Sequence, residues 1–392
     1  MERTDIVIVG GGLASARAVS AYREAGGDDA VLLLSADTAP PYHRPPLSKR
    51  VLRGEAPPES ALVEPESWYD EHRIGLRLRT RVEALDLGAR ELRLVGGDRV
   101  AFERLVIATG AAPRSLDVPG ADLDGVRTLR TMDDARTLHE RARAATRAVV
   151  VGTGFIGLET AASMRSLGTE VTLVGSGRSL FGQLGAPPFS DHLAEVYAAQ
   201  GVELRLGESV EAFLGDDRLR AVRLTGGEER EVELGVVGIG VQPGIAWLEG
   251  SGLELEDGVV VDEHYATSAD GVFAAGDVAA FYDPVFGRRR RIEHWSNANF
   301  QGTQLGGILA GGDDSYDVVS TFFTELFGTT YKVFGDSEGT EELVQEGEFS
   351  DGAAVIRYLR GGEPVAALLT GQTEERESEL KDEIRRGARA VL

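Results

Sequence analysis

The 392-residue chain has a formal net charge of −23 and contains no cysteine. This acidity argues against nucleic-acid binding, because phosphate contacts need a basic surface. The lack of cysteine excludes disulfides, thiolate metal sites and thiol-dependent redox steps, and we expect no metal ion.

The length predicts two or three domains. The chain has no apolar run near the roughly 18 residues of a membrane span. It also has no room for a secretory signal before its first strand, so we expect a cytoplasmic protein.

The first segment, TDIVIVGGGLASARAVSAYREAG, predicts a buried strand, a glycine turn and a helix that begins near Ala14. Gly10 and Gly12 would permit a tight turn and the close approach of a pyrophosphate to the helix N-terminus. Ser15 stands where a third glycine is usual. Asp37 follows the next strand, AVLLL, at a spacing typical of a carboxylate that binds ribose hydroxyls. The alternative is a glycine-rich turn without a ligand.

The stretch PYHRPPLSKR follows at residues 41–50 and contains Lys49, one of three lysines in the chain. Taken alone, this stretch predicts a proline-stiffened surface loop. Its position directly after Asp37 suggests a second interpretation, in which the loop passes over a bound cofactor.

A second glycine segment, RAVVVGTGFIGLETAASMRSLGTEVTLVGSGRS, carries the full G-x-G-x-x-G pattern at Gly152, Gly154 and Gly157. Gly175 stands at the end of the next strand, where NAD-specific sites usually have an acid. Arg178, which follows shortly after, could pair with a 2′-phosphate. The pattern leans weakly toward NADPH, but Arg178 could equally be a solvated loop residue, so the choice between NADH and NADPH stays open.

Two such segments in one chain indicate a flavin dinucleotide in the first and a nicotinamide dinucleotide in the second. Two further stretches, RLVIATGAAPR at 104–114 and GVFAAGDVAAF at 271–281, each predict a buried strand closed by a turn of small residues. Asp277 would place a carboxylate at such a strand end, beside a possible helix N-terminus.

These motifs, together with TLRTMDDA, VVGIGVQP and IEHWSNANFQG, occur in one order over residues 5–335. In this the chain resembles the pyridine-nucleotide flavoprotein reductases that serve the ferredoxins and rubredoxins of oxygenase and cytochrome P450 systems. Apoptosis-inducing factor and monodehydroascorbate reductase are relatives of that family. The resemblance implies an α/β fold with two Rossmann-like domains, arranged as in glutathione reductase, and a C-terminal α+β domain. The implied domains are 1–113 with 247–320 for FAD, 114–246 for NAD(P), and 321–392.

The resemblance also implies roles for individual residues. Lys49 would lie close to flavin N5 and pair with Glu159, and Phe323 would stand where the family carries a tryptophan at the nicotinamide. The implied FAD-binding residues are Gly10, Gly12, Ala14, Asp37, Arg44, Pro45, Lys49, Ala108, Thr109, Gly110, Arg130, Gly276, Asp277, His294 and Trp295. The implied NAD(P)-binding residues are Gly152, Gly154, Gly157, Glu159, Ser176, Arg178, Gly240 and Phe323.

The function implied by the resemblance is electron transfer from NAD(P)H through FAD to a [2Fe–2S] ferredoxin or a rubredoxin. An acidic partner would need a local basic patch. The candidates, which could otherwise be solvated loop residues, are Arg50, Arg53, Arg288, Arg289, Arg290 and Arg291. Two alternatives are reduction of a small molecule (a quinone, a radical or O₂) and a redox-controlled interaction protein. The thiol-dependent branches of the wider fold are excluded because the chain has no cysteine. A monomer and a homodimer both remain open.

Overall fold

The computed structural model describes residues 2–392; Met1, the first residue of the predicted FAD domain, lies outside them. The α-helices are α1 (Leu13–Glu24), α2 (Glu66–Glu71), α3 (Met132–Ala144), α4 (Phe155–Ser166), α5 (Pro187–Ala199), α6 (Trp295–Leu309) and α7 (Glu374–Ala390). The strands in the first part of the chain are β1 (Glu2–Val9), β2 (Val31–Leu34), β3 (Ile74–Arg77), β4 (Val82–Asp86), β5 (Glu91–Leu94), β6 (Arg99–Ile107), β7 (Ala111–Pro113) and β8 (Val126–Arg127).

The strands in the middle of the chain are β9 (Arg147–Val151), β10 (Glu170–Gly175), β11 (Glu203–Leu206), β12 (Val210–Gly215), β13 (Leu219–Leu224), β14 (Glu229–Glu231), β15 (Leu234–Val237) and β16 (Val241–Pro243). Those that follow are β17 (Leu255–Glu256), β18 (Gly258–Val261), β19 (Val272–Ala274), β20 (Ala279–Asp283), β21 (Arg288–Arg290), β22 (Thr321–Leu326), β23 (Thr329–Gly335), β24 (Glu342–Glu348), β25 (Ala353–Arg360) and β26 (Glu363–Thr370).

The first sheet has the order β3-β2-β1-β6-β5-β4, and β19 pairs with the C-terminal half of β6. Strands β3, β2, β1, β6 and β19 run parallel, whereas β5 and β4 add an antiparallel extension. The run Ile6–Val9 is fully buried, as expected of a central parallel strand that is covered on both faces. Because the parallel strands end at one edge, the turns after β1, β6 and β19 lie together there.

The second sheet has the order β11-β10-β9-β15-β8, and all its neighbouring strands are parallel. The three valines of its central strand β9 are almost completely buried. A short antiparallel ribbon of β7 and β16 links the ends of the two sheets, pairing Ala111 with Pro243. The turn after β9 therefore faces the same space as the turns of the first sheet.

Helix α6 packs along α1 at very short range. A Cβ atom at Gly302 or Gly306 would overlap the carbonyl oxygen of Ala14 or Ala18, so only glycine permits this approach. The contact fixes the N-terminal end of α6, with His294 and Trp295, next to the turn after β1.

The C-terminal part forms an antiparallel sheet of order β22-β23-β26-β25-β24. Helix α7 covers it with Leu380 and Ile384, which belong to an apolar cluster with the strand residues Phe334 and Leu369. The predicted fold class, with two parallel sheets and a C-terminal α+β unit, is confirmed. Within residues 2–392, no helix combines the length and apolar character that crossing a membrane would require.

Candidate active site at the carboxyl ends of two parallel sheets

A cavity of about 520 Å³ lies where the turns of the two parallel sheets meet. Its walls come from the glycine turns after β1 and β9, the proline-rich loop after β2, the turns after β6 and β19, the start of α6, and β22. Ligands of open α/β sheets bind at this kind of edge, outside the carboxyl ends of the strands.

The first glycine turn brings the backbone close to the neighbouring strand. Gly10 has φ +128°, and a Cβ there would overlap the carbonyl oxygen of Ala108. Gly12 is the N-cap of α1 and provides no side chain to cap it, so the N–H groups of the first turn are open to a ligand. Ser15 takes the place of the third glycine by donating its hydroxyl to the carbonyl oxygen of Gly10, at 2.5 Å.

Two guanidinium groups line the same end of the cavity. The Nε atoms of Arg44 and Arg130 are buried and have no hydrogen-bond partner among the described residues. Burial and the neighbouring Arg130 lower the pKa of Arg44. Arg130 also donates to Asp277 across 2.9 Å. Guanidinium groups whose buried Nε atoms lack acceptors, beside an uncapped helix N-terminus, fit a bound anion such as the pyrophosphate of FAD.

A buried ion pair crosses the middle of the cavity. Lys49 Nζ lies 2.6 Å from Glu159 Oε1, and the two side chains are 10% and 5% exposed. The hydroxyl of Thr324 donates to the same carboxylate at 2.7 Å, and the hydroxyl of Ser48 donates to its other oxygen. Lys49 Nζ also donates to the carbonyl oxygen of Pro45 at 3.2 Å. The proline-rich loop, α4 and β22 thus fix one charged pair together.

Aromatic rings close the side of the cavity. His294 stacks on Phe322 with ring centroids 4.2 Å apart and meets the edge of Phe155 at 5.7 Å. Burial lowers the pKa of His294 to about 4, so the ring is neutral near pH 7. Trp295 and Phe323 lie at the opening, 37% and 39% exposed. Both are too exposed for plain core packing.

A second cavity of about 380 Å³ lies beside the second glycine turn. Gly154 is the uncapped N-cap of α4 and lines both cavities, as does Gly240. Gly157 is required for packing, since a Cβ there would overlap the carbonyl oxygen of Gly152. This turn repeats the arrangement of the first and fits a second dinucleotide.

Most of the predicted site residues line these cavities. In the larger cavity these are Gly12, Ala14, Arg44, Pro45, Lys49, Ala108, Gly110, Arg130, Gly154, Glu159, Gly240, Gly276, Asp277, His294, Trp295 and Phe323. Gly152 and Ser176 line the smaller one.

The remaining predicted residues are engaged elsewhere. Asp37 accepts hydrogen bonds from the Tyr42 hydroxyl and the Thr38 amide, each at 2.7 Å. The Thr109 hydroxyl donates to the carbonyl oxygen of Gly244 at 2.9 Å. Gly10 and Gly157 serve close packing, as described above, and Arg178 is exposed. Asp277 precedes strand β20, so the expected helix does not begin there.

Arg288–Arg291, the other candidate docking residues, all have partners within the described part of the chain, so they form no unpaired basic patch. Arg288 pairs with Asp336 and Glu338, and Arg291 pairs with Asp257 and Glu293. Arg290 pairs with the fully buried Asp283 at 2.8 Å. Arg289 donates to the carbonyl oxygens of Val261 and Ala280. The sequence shows the run of arginines but not the acids that distant segments bring to it.

Of the two arginines beside the proline-rich loop, Arg53 pairs with Glu55 at 2.7 Å and with Glu325 at 3.6 Å. Arg50 is exposed and donates to the Ser60 hydroxyl at 3.2 Å.

Several residues of the site were not predicted from the sequence. They are Ser48, Phe155, Gln183, Phe322 and Thr324 in the larger cavity or at its ion pair, and Thr153 and Glu208 in the smaller cavity. Ser48 could have been found, because it adjoins Lys49 in the proline-rich loop. Thr324 and Glu208 could not, because only the folded chain brings them to the site.

Comparison with known proteins agrees with this geometry. Residues 4–302 match the family model described as pyridine nucleotide-disulphide oxidoreductase. The chain is 37% identical over 360 residues to the ferredoxin reductase component of chlorobenzene dioxygenase from Cupriavidus sp., covering 92% of this chain and 87% of that protein. It is 31% identical over 368 residues to putidaredoxin reductase from Pseudomonas putida, covering 92% and 87%.

Solved structures extend the similarity to the whole fold. The covalent putidaredoxin reductase–putidaredoxin complex matches with a TM-score of 0.94 and 30% identity, over 99% of this chain and 94% of that one. A ferredoxin reductase from Rhodopseudomonas palustris matches with a TM-score of 0.91 and 29% identity, over 95% and 93%. The chain therefore belongs to the pyridine nucleotide-disulphide oxidoreductase family.

Proposed function

We propose that this chain is an FAD-dependent NAD(P)H:ferredoxin reductase that supplies an oxygenase or a cytochrome P450 through a [2Fe–2S] ferredoxin or a rubredoxin. The observation that carries the proposal is the buried Lys49–Glu159 pair, placed in a cavity shared by two glycine turns. The family name refers to disulphide chemistry, yet this chain has no cysteine. Relatives named ferredoxin reductases support an electron-transfer role instead.

On this proposal, the FAD pyrophosphate binds between the N-terminus of α1 and the guanidinium groups of Arg44 and Arg130. FAD bound there would supply the redox chemistry, which is acceptance of a hydride from the nicotinamide and release of single electrons to an iron–sulfur protein. Asp277 holds Arg130 in position across 2.9 Å. The nicotinamide dinucleotide binds at the N-terminus of α4, against Gly152 and Gly154.

Lys49 contributes a fixed positive charge in the middle of the cavity, where we expect negative charge to develop during flavin reduction. Glu159 anchors the ammonium group, and the hydroxyls of Ser48 and Thr324 satisfy its carboxylate oxygens. The ion pair and these hydrogen bonds leave the side chains of Lys49 and Glu159 little conformational freedom. The positive charge is therefore already in place before a substrate binds. The rings of Phe155, Phe322 and His294 pack against one another and make this side of the cavity apolar.

The electron acceptor docks, in our proposal, at the opening marked by Trp295 and Phe323. The Trp295 indole N–H donates to Nδ1 of His43 at 2.8 Å, which fixes its ring at the rim. Arg50, exposed on the proline-rich loop, supplies the positive charge that attracts an acidic ferredoxin. Arg53 stands beside it but is already paired with Glu325.

The division into domains is also part of the proposal. Sheet membership supports it, because β1–β6 and β19 form one sheet while β8, β9, β10, β11 and β15 form another. The FAD domain would comprise 1–113 with 247–320, the NAD(P) domain 114–246, and the C-terminal domain would begin with β22.

Stopped-flow absorbance tests the proposal in two steps. NADH or NADPH should bleach the flavin under anaerobic conditions, and cytochrome c should then be reduced only when a ferredoxin or rubredoxin is added. Efficient reduction of a quinone without any iron–sulfur protein would assign a small-molecule acceptor instead. A purified protein that binds no flavin would overturn the proposal entirely.

A further inference from the structure

The strand end that usually selects the nicotinamide nucleotide carries no side chain in this protein, and a threonine methyl group occupies the space beside it. A Cβ at Gly175, the last residue of β10, would overlap the Cγ2 methyl of Thr153 in the second glycine turn. Thr153 thus fills the space from which an acid at position 175 would reach the ribose. If the site selects by charge, the charged group has to come from another segment.

Glu208 brings a carboxylate to the same place. It follows β11, the strand paired with β10, and its amide donates to the carbonyl oxygen of Gly175 at 3.1 Å. Glu208 lines the 380 Å³ cavity together with Gly152, Ser176 and Gly240. The lining of this cavity, within the described part of the chain, includes no lysine or arginine.

Arg205 holds this carboxylate in a fixed orientation. Its Nε donates to Oε1 of Glu208 at 2.8 Å and its Nη2 to Oε2 at 3.0 Å. Hydrogen bonds to Glu208 and Glu228 raise the pKa of Arg205, so it stays charged. A carboxylate has about four acceptor positions, and the fork occupies one on each oxygen. The others can accept hydroxyls, whereas the Nε and Nη2 donors of Arg205 are taken up by Glu208 and Glu228.

We propose that Glu208 binds the adenosine ribose of the nicotinamide dinucleotide and makes the protein selective for NADH. A free 2′-hydroxyl can donate to Glu208, but a 2′-phosphate would bring negative charge against it in a cavity without cationic walls. Arg178 is exposed, lies beside Gly207 and does not line the cavity. The inference rests on the proposed function, since it names the donor used at that site.

Calorimetry on the FAD-loaded protein tests this without turnover, using ADP-ribose and 2′-phospho-ADP-ribose as probes. The wild type should bind ADP-ribose more tightly. In Glu208→Gln the ratio of the two affinities should fall by about tenfold or more, because a charge-assisted hydrogen bond and a repulsion are removed together. Glu211→Gln, at an exposed position of nearby β12, should leave the ratio unchanged. Glu208→Asp, which keeps the charge, should retain the discrimination against the phosphate.

Tighter binding of 2′-phospho-ADP-ribose by the wild type, or an unchanged ratio in Glu208→Gln, would overturn the role of Glu208. A selective loss of 2′-phospho-ADP-ribose binding in Arg178→Gln would assign the site to NADPH. In each of these cases flavin reduction by a nicotinamide nucleotide would still stand. If neither probe binds and neither nucleotide reduces the flavin, the proposed function fails as well.

Discussion

The ammonium nitrogen of Lys49 lies 2.6 Å from Oε1 of Glu159, and this ion pair connects the two dinucleotide-binding regions of the chain. Lys49 belongs to the proline-rich loop that follows β2, while Glu159 lies on α4, just after the second glycine turn. Removing one partner of a buried pair leaves the other charge uncompensated, typically at a cost of about 3–5 kcal/mol. Replacing either residue of the pair should therefore affect both the stability of the protein and the rate of flavin reduction.

Replacing Lys49 by methionine should slow flavin reduction while FAD stays bound. The substitution keeps an unbranched side chain, one atom shorter than that of lysine, but removes the fixed charge from the cavity. We expect the rate constant of reduction by NADH to fall roughly 10- to 100-fold, as for other losses of preorganised electrostatic stabilisation. Stopped-flow absorbance at saturating NADH measures it.

Lys332→Met is the matched control for that variant. Lys332 pairs with Glu377 at 2.6 Å in the C-terminal sheet, away from the cavity lining. This variant loses a lysine–glutamate pair that is more exposed than the Lys49–Glu159 pair, and it should reduce the flavin at the wild-type rate. Equal rates in Lys49→Met and the wild type would return the proline-rich loop to a purely structural role.

Arg44→Leu should weaken FAD binding more than any change at the rim of the cavity. Arg44 has a buried Nε without a partner among the described residues, so the group is placed for an external anion. Loss of a charge-assisted phosphate contact should raise the dissociation constant of FAD by roughly 10- to 100-fold. Flavin content after purification and titration of the apoprotein measure it, and Arg53→Leu serves as the comparison. A flavin content like that of the wild type would show that Arg44 does not hold the pyrophosphate.

The parts of the site that the sequence predicted are those encoded by neighbouring residues. The turns at Gly12 and Gly154 follow from strand–glycine–helix patterns, and the loop with Lys49 has a distinctive composition. Thr324 and Glu208 escaped prediction because they reach the site from a separate sheet and from a neighbouring strand. The ion pairs of Arg288, Arg290 and Arg291 escaped prediction for the same reason, since a run of arginines in a sequence does not reveal which acids will pair with it.

Variants of Arg290 and Arg50 should distinguish an arginine that stabilises the fold from one that attracts the electron acceptor. Arg290→Gln leaves Asp283, which is fully buried, without its cation, and burial already raises the pKa of that carboxyl. We expect about 3 kcal/mol or more of lost stability.

Arg50→Gln should leave stability unchanged and raise the KM for ferredoxin several-fold, because exposed charges mainly steer association. Denaturant titration and ferredoxin-dependent cytochrome c reduction measure the two effects. A raised KM in stable Arg290→Gln protein, with none in Arg50→Gln, would reverse the assignment.

His294 should make the protein less stable as the pH falls from 6.5 to 4. Burial lowers its pKa to about 4 from the usual 6.5, with attraction to Asp277 opposing the shift and repulsion from Arg290 adding to it. In that interval the unfolded chain binds a proton that the folded chain does not. Above pH 6.5 the protonation of His294 does not reduce the free energy of unfolding. Below that pH it lowers the free energy of unfolding by at most about 1.4 kcal/mol per pH unit, and by roughly 3 kcal/mol in total.

His294→Phe should remove this part of the pH dependence while an aromatic ring still faces Phe322. Denaturant unfolding of the FAD-loaded protein at pH 7, 6 and 5 should give a shallower slope for His294→Phe than for the wild type. The control His264→Gln, at a remote position between β18 and β19, should keep the wild-type slope. Parallel slopes for the wild type and His294→Phe would mean that His294 takes up its proton near the usual pH, and that water reaches the ring despite the packing against Phe155 and Phe322.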